Sequence, residues 1–328
     1  MKVLVTGASG FLGSHIVEHL IARNDTVRAL VRKSSNTKLL EKLGVELAYG
    51  AIDQHDTLPA AVKDVDAIIH CAGLVKARDP EEFDAVNYKG TEALALAAIE
   101  HNPGLQRFVH VSSAAVMGPG EAGEKRARDA EPNPVTEYGR SKLRGERAVV
   151  ALKDKLPITV IRPPAIYGPR DTEMFAFFQM VSYGLAVKMG GGFDSMVIVY
   201  GEDCADACIQ AVDNKSVPSG SVYFVHDGQA RSFDAMADTI ARALDVELWA
   251  RPIVPIPVLR FAAKFSEAYG RAANKAMMFT QEKVNELAIK NFDFDLTATR
   301  DELGWSPKVN FADGAKITAK WYRENGWI

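Results

Sequence analysis

The amino-acid sequence predicts an α/β protein with a doubly wound parallel sheet and a smaller, discontinuous C-terminal substrate lobe. Through the first half, short β-branched runs alternate with longer stretches that place apolar residues at helical spacing. A glycine-rich turn follows the first run, and after Gly168 the chain becomes rich in Phe, Met and Tyr. The alternation is typical of a parallel sheet that helices cover on both faces.

Strands are predicted at Lys2–Thr6, Thr26–Val31, Val45–Tyr49, Ala67–His70, Arg107–Val111 and Ile158–Arg162. The carboxyl ends of parallel strands meet at one edge of the sheet, and ligands bind there. We assign residues 1–168, with about 195–212, to a dinucleotide-binding domain, and residues 169–194 and 213–328 to a substrate-binding lobe.

Composition excludes several classes of protein. The 328 residues carry 39 Lys and Arg against 42 Asp and Glu, and 47% are hydrophobic, which argues against disorder and against nucleic-acid binding through bulk positive charge. Three cysteines do not form a disulfide framework, and the chain opens directly into a strand-like run, so we expect a cytoplasmic protein.

The longest apolar segment is Ile253 to Phe265, and no transmembrane segment is predicted because prolines and the cations Arg260 and Lys264 interrupt it. By default, we interpret this segment as one that packs between the two lobes. A lid over an apolar pocket and contact with a membrane surface remain open.

The glycine-rich turn is the strongest local signal for function. Gly7 permits a tight turn, Gly10 lets the backbone approach a pyrophosphate, and Gly13 lets the helix pack closely on the strand. Ser9, Phe11 and Leu12 complete the turn as candidate cofactor contacts. The alternative is a strand-to-helix turn that merely favours glycine.

A second constellation predicts proton transfer. Tyr138 and Lys142 lie four residues apart, so in a helix they share one face, and an ammonium beside the phenol favours phenolate. An unperturbed phenol is too weak an acid for rapid transfer at neutral pH. Ser113, at the end of a predicted strand, could hold a carbonyl oxygen in line with Tyr138.

These motifs together resemble the extended short-chain dehydrogenases/reductases of the NAD-dependent epimerase/dehydratase superfamily. The resemblance covers nearly the whole chain and includes Ile69 to Gly73, Val86 to Thr91, Ile161 to Pro169 and Leu303 to Pro307. It implies that Tyr138 is the proton donor or acceptor, that Lys142 grips the nicotinamide ribose and lowers the pKa of Tyr138, and that Ser113 orients the substrate oxygen. Further candidate contacts of the cofactor, some of them implied by the resemblance, are Cys71, Ala72, Gly73, Asn87, Val111, Ser112, Pro163 and Ile166. Dimerisation through the helices holding Asp84 to Ile99 and Tyr138 to Leu152 is a family expectation.

Cofactor choice depends on the end of the second strand, where a carboxylate favours NAD and an arginine accommodates a 2′-phosphate. Here Arg32, Lys33 and Ser34 follow the strand, so NADP(H) is predicted, with NAD(H) possible and a solvated basic turn as the alternative. The family's acid after the third strand is replaced by Ala51. Ile52 and Asp53 are included as candidate contacts, although Asp53 lies two residues beyond that position.

Departures from the family pattern favour an apolar carbonyl or alcohol substrate. Ala114 and Ala115 replace the acids that dehydratases use, and Ala165 stands where the sugar-nucleotide branch tends to have Asn. The run Arg162-Pro163-Pro164 resembles the dihydroflavonol reductase and 3β-hydroxysteroid dehydrogenase branch. The side chains that either line an apolar pocket or form the core of the small lobe are Phe175, Phe177, Phe178, Met180, Phe193 and Phe261.

The leading hypothesis is therefore an NADP(H)-dependent ketone reductase or alcohol dehydrogenase. A nucleotide-sugar epimerase or reductase and a non-catalytic NADP-sensing protein are the alternatives. No metal site is predicted, because the His15-to-His19 segment, although it matches a zinc-peptidase pattern, sits in the helix that the glycine turn opens.

Overall fold

The computed structural model describes residues 1–273, 277 and 279–328. The strands, in chain order, are β1 (Lys2–Thr6), β2 (Thr26–Val31), β3 (Glu46–Tyr49), β4 (Ala67–His70), β5 (Arg107–Val111), β6 (Ile158–Arg162), β7 (Ala165–Tyr167), β8 (Lys188–Met189), β9 (Ser195–Met196), β10 (Ile198–Tyr200), β11 (Ser221–Phe224), β12 (Ile253–Val254) and β13 (Asn291–Phe292). The α-helices are α1 (Phe11–Ala22), α2 (Lys38–Lys42), α3 (Leu58–Val62), α4 (Pro80–Phe83), α5 (Thr91–His101), α6 (Glu137–Val150), α7 (Phe175–Ser182), α8 (Gly201–Asp213), α9 (Phe233–Leu244), α10 (Ile256–Ala273), α11 (Gln281–Leu287) and α12 (Phe311–Glu324).

Within the described residues, the main sheet has seven parallel strands in the order β11-β6-β5-β4-β1-β2-β3. The predicted α/β class and all six predicted strands are confirmed, and the third begins one residue later than expected, at Glu46. The strand order reverses between β1 and β4, where Val3 pairs with Val27 on one side and with Ala67 on the other. Such a reversal opens a crevice at the carboxyl edge of the sheet.

Side chains alternate between the two faces of the sheet and build a core on each. Val3 and Val5 pack beneath α1 and α8, whereas Leu4, between them, faces the opposite cluster with α3 and α5. Burial on both faces explains why the central strands β1 and β4 are mostly apolar.

The strand Ser221–Phe224 differs from the sequence-based division, which placed residues 213–328 in the second lobe. It pairs in parallel with β6, from Ser221 opposite Thr159 to Phe224 opposite Arg162, and forms one edge of the main sheet. Its first two residues are only half-buried, so it lacks the continuous apolar run that marks β4, and its pairing with β6 identifies it.

The C-terminal lobe has a core of its own, in which α7, α9 and α12 pack together around buried aromatic rings such as Tyr167, Phe178 and Tyr322. Its short strands pair as β7 with β10, β8 with β12 and β9 with β13. No helix within the described ranges is both long enough and apolar enough to cross a membrane.

Candidate active site

The turn between β1 and α1 has the geometry that its glycines predict. Gly7 adopts a φ of +71°, and its carbonyl accepts a hydrogen bond of 2.9 Å from the Gly10 amide. A Cβ on Gly13 would lie 2.1 Å from that carbonyl oxygen, and a Cβ on Gly7 would lie 2.8 Å from the amide nitrogen of Ala72. A side chain at either position would push the helix or the neighbouring loop away.

The first turn of α1 is open to an anion. Gly10 caps the helix without a side-chain hydrogen bond, and no acid occupies the first turn. Ser9 and Gly10 are exposed, and Phe11 and Leu12 are half-buried. The unpaired amides at a helix N-terminus attract phosphate, so this turn fits the pyrophosphate of a dinucleotide.

Residues at the ends of β2 and β3 extend the same edge. Arg32, Lys33 and Ser34 are exposed, and the Arg32 amide donates to the Ser35 hydroxyl at 3.2 Å, which closes the turn. Ile52 is buried beside Gly90, where a Cβ would meet the Ile52 carbonyl oxygen at 2.9 Å, whereas Asp53 is exposed.

The end of β5 holds Val111, Ser112 and Ser113. Ser113 caps the 3₁₀ turn Ala114–Val116, and its hydroxyl oxygen accepts from the Ala115 amide at 3.1 Å. Because a hydroxyl has one proton and two acceptor positions, this contact leaves the Ser113 proton free to be donated. Ser113 faces Tyr138; burial raises the pKa of that phenol, and the Ser113 hydrogen bond opposes part of the rise.

Tyr138 and Lys142 lie one turn apart on α6, which Thr136 caps by accepting from the Gly139 amide at 3.1 Å. Burial raises the pKa of Tyr138 above its ordinary value, and the negative charges of Glu286 and Glu173 add to that rise. The phenol is therefore held in its protonated form.

The Lys142 ammonium lies elsewhere than expected. Its Nζ donates to the Val111 carbonyl at the end of β5, at 2.7 Å, and burial lowers the pKa of Lys142 to about 8. Burial raises the pKa of Tyr138 in this arrangement, and the lowering predicted from the position of Lys142 is not seen. The reason is geometric, because α6 lies against the end of β5 and presents Nζ to the last carbonyl of that strand.

Asn87 joins the loop after β4 to α6. It is fully buried, its Oδ1 accepts from the Leu74 amide at 2.8 Å, and its Nδ2 donates to the Leu74 carbonyl at 2.9 Å and to the Ser141 hydroxyl at 3.0 Å. Ser141 in turn donates to the Tyr138 carbonyl at 2.8 Å. A Cβ on Gly73 would lie 3.1 Å from Asn87 Oδ1 and 3.7 Å from Lys142 Nζ, so Gly73 keeps this corner open.

A chain of buried hydrogen bonds that the sequence analysis missed runs beneath the same corner. The Ala72 amide donates to the Thr6 hydroxyl at 3.1 Å, Thr6 Oγ1 contacts His70 Nδ1 at 2.7 Å, and His70 Nε2 contacts Thr91 Oγ1 at 2.9 Å. Thr91 donates to the Asn87 carbonyl at 2.9 Å, so its oxygen accepts the proton of Nε2, and Nδ1 accepts from Thr6. Burial lowers the pKa of His70 to about 3, which keeps the ring neutral.

The remaining predicted residues also lie along this edge of the sheet. Cys71 follows β4, and burial raises the pKa of its thiol well above the ordinary value, so it is a poor nucleophile. Pro163 is buried after β6, and its carbonyl accepts from the Ala114 amide at 2.8 Å. Ile166 lies in β7, half-buried and opposite Val199.

Helix α11 contacts the start of α6, and no sequence pattern indicated it. Both carboxylate oxygens of Glu282 accept from the Glu137 amide, at 2.9 and 2.8 Å, and one also accepts from Arg140 at 2.6 Å. The negative charge stabilises the N-terminus of the helix that holds Tyr138. An open groove of about 520 Å³ lies beside α11 and is lined by Pro119, Gly120, Val135, Asn285, Ala288, Ile289 and Lys290.

The aromatic residues proposed for a pocket divide between several environments. Phe178 is fully buried in the lobe core, Phe177 stacks on Phe233 with ring centres 5.0 Å apart, and Phe261 is 65% exposed on the outside of α10. Phe175, Met180 and Phe193 are partly buried against the core. Within the described ranges, no group of three or more His, Cys, Asp or Glu side chains could hold a metal ion.

A sequence model of a known family matches this edge and the sheet behind it. The model of the NAD dependent epimerase/dehydratase family matches residues 3–225, from the second residue of β1 through the end of β11. The chain belongs to this family.

Relatives within the family differ in what their names say they act on. The chain is 30% identical over 329 residues to a ceramide reductase of Caulobacter vibrioides, covering 99% of this chain and 96% of the relative. It is 27% identical to a 4-hydroxy-2-methyl-3-oxo-4-farnesyl-3,4-dihydroquinoline-1-oxide ketoreductase of Stigmatella aurantiaca, with 96% and 94% covered. It is also 27% identical to a UDP-glucose 4-epimerase of Vibrio cholerae, with 97% and 94% covered.

Solved structures share the fold of nearly the whole chain. The crystal structure of gox2253 superposes with a TM-score of 0.81 at 27% identity, covering 99% of this chain and 98% of that one. The dTDP-glucose 4,6-dehydratase DesIV of Streptomyces venezuelae, solved with NAD bound, also gives 0.81 at 23% identity, covering 100% and 98%. This protein is therefore an enzyme of the NAD-dependent oxidoreductase and epimerase superfamily.

Proposed function

We propose that this family member is an NADP(H)-dependent oxidoreductase that reduces a ketone, or oxidises a secondary alcohol, on an apolar small molecule. The observation that carries the proposal is the meeting of Ser113, Tyr138 and Lys142 at the carboxyl end of β5, on the same sheet edge as the Gly7 turn. Such an arrangement can bind a dinucleotide and transfer a proton beside it.

Each side chain has a separate task in the proposed reaction. When bound, the nicotinamide cofactor supplies or accepts the hydride. Tyr138 protonates the carbonyl oxygen, and the Ser113 hydrogen bond, which opposes the rise that burial causes in the pKa of Tyr138, favours release of that proton. Ser113 donates a hydrogen bond to the same oxygen, since its contact with the Ala115 amide uses an acceptor position and not the hydroxyl proton. Lys142, whose Nζ is held by the Val111 carbonyl at the end of β5, would bind the nicotinamide ribose.

We assign the 2′-phosphate of NADP(H) to Arg32, assisted by Lys33 or Ser34. The support is that the Arg32 guanidinium is exposed beyond β2 and, among the described residues, forms no hydrogen bond or ion pair. An arginine in this position accommodates a phosphate. Arg32→Ala should weaken NADPH binding by at least about tenfold with little effect on NADH, and Lys38→Ala, on exposed α2, is the matched control. Equal or tighter binding of NADH by the wild type would refute the assignment.

The substrate is proposed to be apolar, and the C-terminal lobe is proposed to select it. Ala114 and Ala115 provide no additional acid or base beside Ser113, so elimination of water is disfavoured. The ceramide reductase and the farnesylated-quinoline ketoreductase among the relatives point in the same direction.

A nucleotide-sugar epimerase is the second candidate. The Vibrio cholerae UDP-glucose 4-epimerase, which aligns over nearly the whole chain, favours it. Ala165, in β7, lacks the amide that the sugar-nucleotide branch tends to place there. Tight binding of UDP- or dTDP-sugars by the purified protein would favour this candidate over the first.

The deciding experiment is an NADPH-oxidation screen across steroid, flavonoid, long-chain β-keto and sugar-nucleotide substrates. With any substrate found, Tyr138→Phe should abolish turnover and leave NADPH affinity nearly unchanged, because it removes only the phenolic hydroxyl that donates the proton. Tyr183→Phe, at an exposed tyrosine, is the control. Turnover retained by Tyr138→Phe would rule out the proposed proton donor, and nucleotide binding without turnover of any class would favour a sensing protein.

A further inference from the structure

Helix α10 exposes a stripe of large apolar side chains. Val258 is 55% exposed, Phe261 65%, Phe265 64% and Tyr269 61%. These positions recur every three to four residues, so they share one face of the helix. Ile253, just before the helix, is 61% exposed as well.

The opposite face of α10 already has its packing partner. Leu259 and Ala263 are buried against Val284 of α11. The lobes therefore do not cover the aromatic stripe, contrary to the default expectation for this segment. Phe261 and Phe265 instead contact each other, with ring centres 4.9 Å apart. Exposed, contiguous apolar surface of this kind marks an interaction site.

Cations lie beside the stripe without acidic partners. Arg260 and Lys264 are exposed one turn apart, and in the described part of the chain neither has a carboxylate within ion-pair distance. Glu267, the acid of the same helix, is half-buried and accepts from the Gln281 amide at 2.7 Å. The outer surface of α10 is thus aromatic along its centre and cationic along one flank.

We propose that the outer face of α10 binds the surface of an anionic phospholipid membrane, with its aromatic stripe at the boundary between headgroups and acyl chains. An amphipathic helix with Phe and Tyr on one side and unpaired Lys and Arg beside them has the chemistry of an interfacial helix. Since none of the described helices can span a membrane, the contact is peripheral.

Contacts connect this face to the candidate active site. Gln281 of α11 donates from Nε2 to the Arg260 carbonyl at 2.7 Å, and the next residue, Glu282, holds the Glu137 amide at the start of α6. Two helices therefore separate the membrane surface from Tyr138. A substrate dissolved in the membrane would meet the protein on this side. Substrate delivery depends on the function proposed above, whereas membrane binding does not.

The test is flotation of the full-length protein with vesicles of phosphatidylcholine, with and without phosphatidylglycerol. We expect binding to the anionic vesicles. Phe261→Ser with Phe265→Ser should lower the partition coefficient by about tenfold or more, since two large apolar side chains no longer leave water. Arg260→Gln with Lys264→Gln should lower it by roughly ten- to thirtyfold on anionic vesicles only. Ile317→Ser, at a 46%-exposed residue of α12, is the matched control and should bind as the wild type does.

Several results would overturn the proposal. One is the absence of binding to anionic vesicles, and another is undiminished binding by the two-phenylalanine variant. A third is a wild-type dimer in sedimentation velocity that this variant converts to a monomer, which would assign the face to a second copy of the chain. Thermal unfolding of each variant shows whether it is folded. If the two-phenylalanine variant does not fold, the charge variant, which alters only exposed cations, tests the membrane binding in its place. None of these readouts requires turnover, so the proposed reaction can fail independently.

Discussion

Replacing Asn87 with alanine should release the loop after β4 from the helix that holds Tyr138. The side chain is fully buried and makes three hydrogen bonds, two to the backbone of Leu74 and one to Ser141. Alanine leaves both Leu74 groups without partners. Ser141 keeps its own bond to the Tyr138 carbonyl and so loses only a donor.

The expected cost follows from these contacts. Leu74 is half-buried, so each of its orphaned groups should cost about 1 kcal/mol, the low end for a lost buried partner. The lost bond to Ser141 adds about 0.5 to 1 kcal/mol, so the free energy of unfolding should fall by about 3 kcal/mol. Because the freed loop includes Ala72 and Gly73, the Kd for NADPH should rise about tenfold, equivalent to about 1.4 kcal/mol.

Asn102→Ala is the matched control. Asn102 also donates from Nδ2 to backbone carbonyls, those of Val62 at 2.9 Å and Val65 at 2.7 Å. These two carbonyls precede β4 and therefore lie at the opposite edge of the sheet from the nucleotide. Urea unfolding should show a loss of stability in both variants, and nucleotide titration a loss of affinity only in Asn87→Ala. If Asn87→Ala loses stability yet keeps wild-type affinity for NADPH and wild-type kcat, the reasoning about this corner is wrong.

Three further predictions follow from the same residues. Since burial lowers the pKa of Lys142 from 10.5 to about 8, the unfolded chain holds that proton over a pH range where the folded chain has lost it. Stability should therefore rise from about pH 8 to about pH 10.5, and urea unfolding of Lys142→Met should lack that rise. Glu146 of α6 and Arg162 of β6 form a buried ion pair. Glu146→Leu leaves the Arg162 cation without its carboxylate and should lower the free energy of unfolding in urea by about 3 to 5 kcal/mol, most of which Arg162→Met in the same chain should restore. A double variant as unstable as the sum of the single ones would contradict this. Glu282→Gln removes the charge at the start of α6 and should lower kcat more than it raises KM for NADPH, with Lys283→Gln as the exposed control; an unchanged kcat would show that the contact is only structural.

The sequence predicted those parts of the protein that local patterns specify. Alternating apolar runs predicted six strands, because burial on both faces leaves a continuous hydrophobic signal. The turn from Gly7 to Gly13 was identifiable because only glycine fits backbone approaches such as the 2.1 Å between a Cβ on Gly13 and the Gly7 carbonyl oxygen. The order of motifs along the chain likewise predicted the family.

Only the tertiary structure decided how distant residues meet. β11 is a strand because it pairs with β6, and Glu282 supports α6 although 145 residues separate it from Glu137. Helical spacing indicated that Lys142 shares a face with Tyr138, but the position of the Val111 carbonyl determines where the ammonium lies. The sequence showed that α10 begins in an apolar segment interrupted by Arg260 and Lys264, and packing on α11 decided which face is exposed. Local patterns record which side chains need burial or a turn, whereas hydrogen-bond partners and exposed faces depend on how the elements pack.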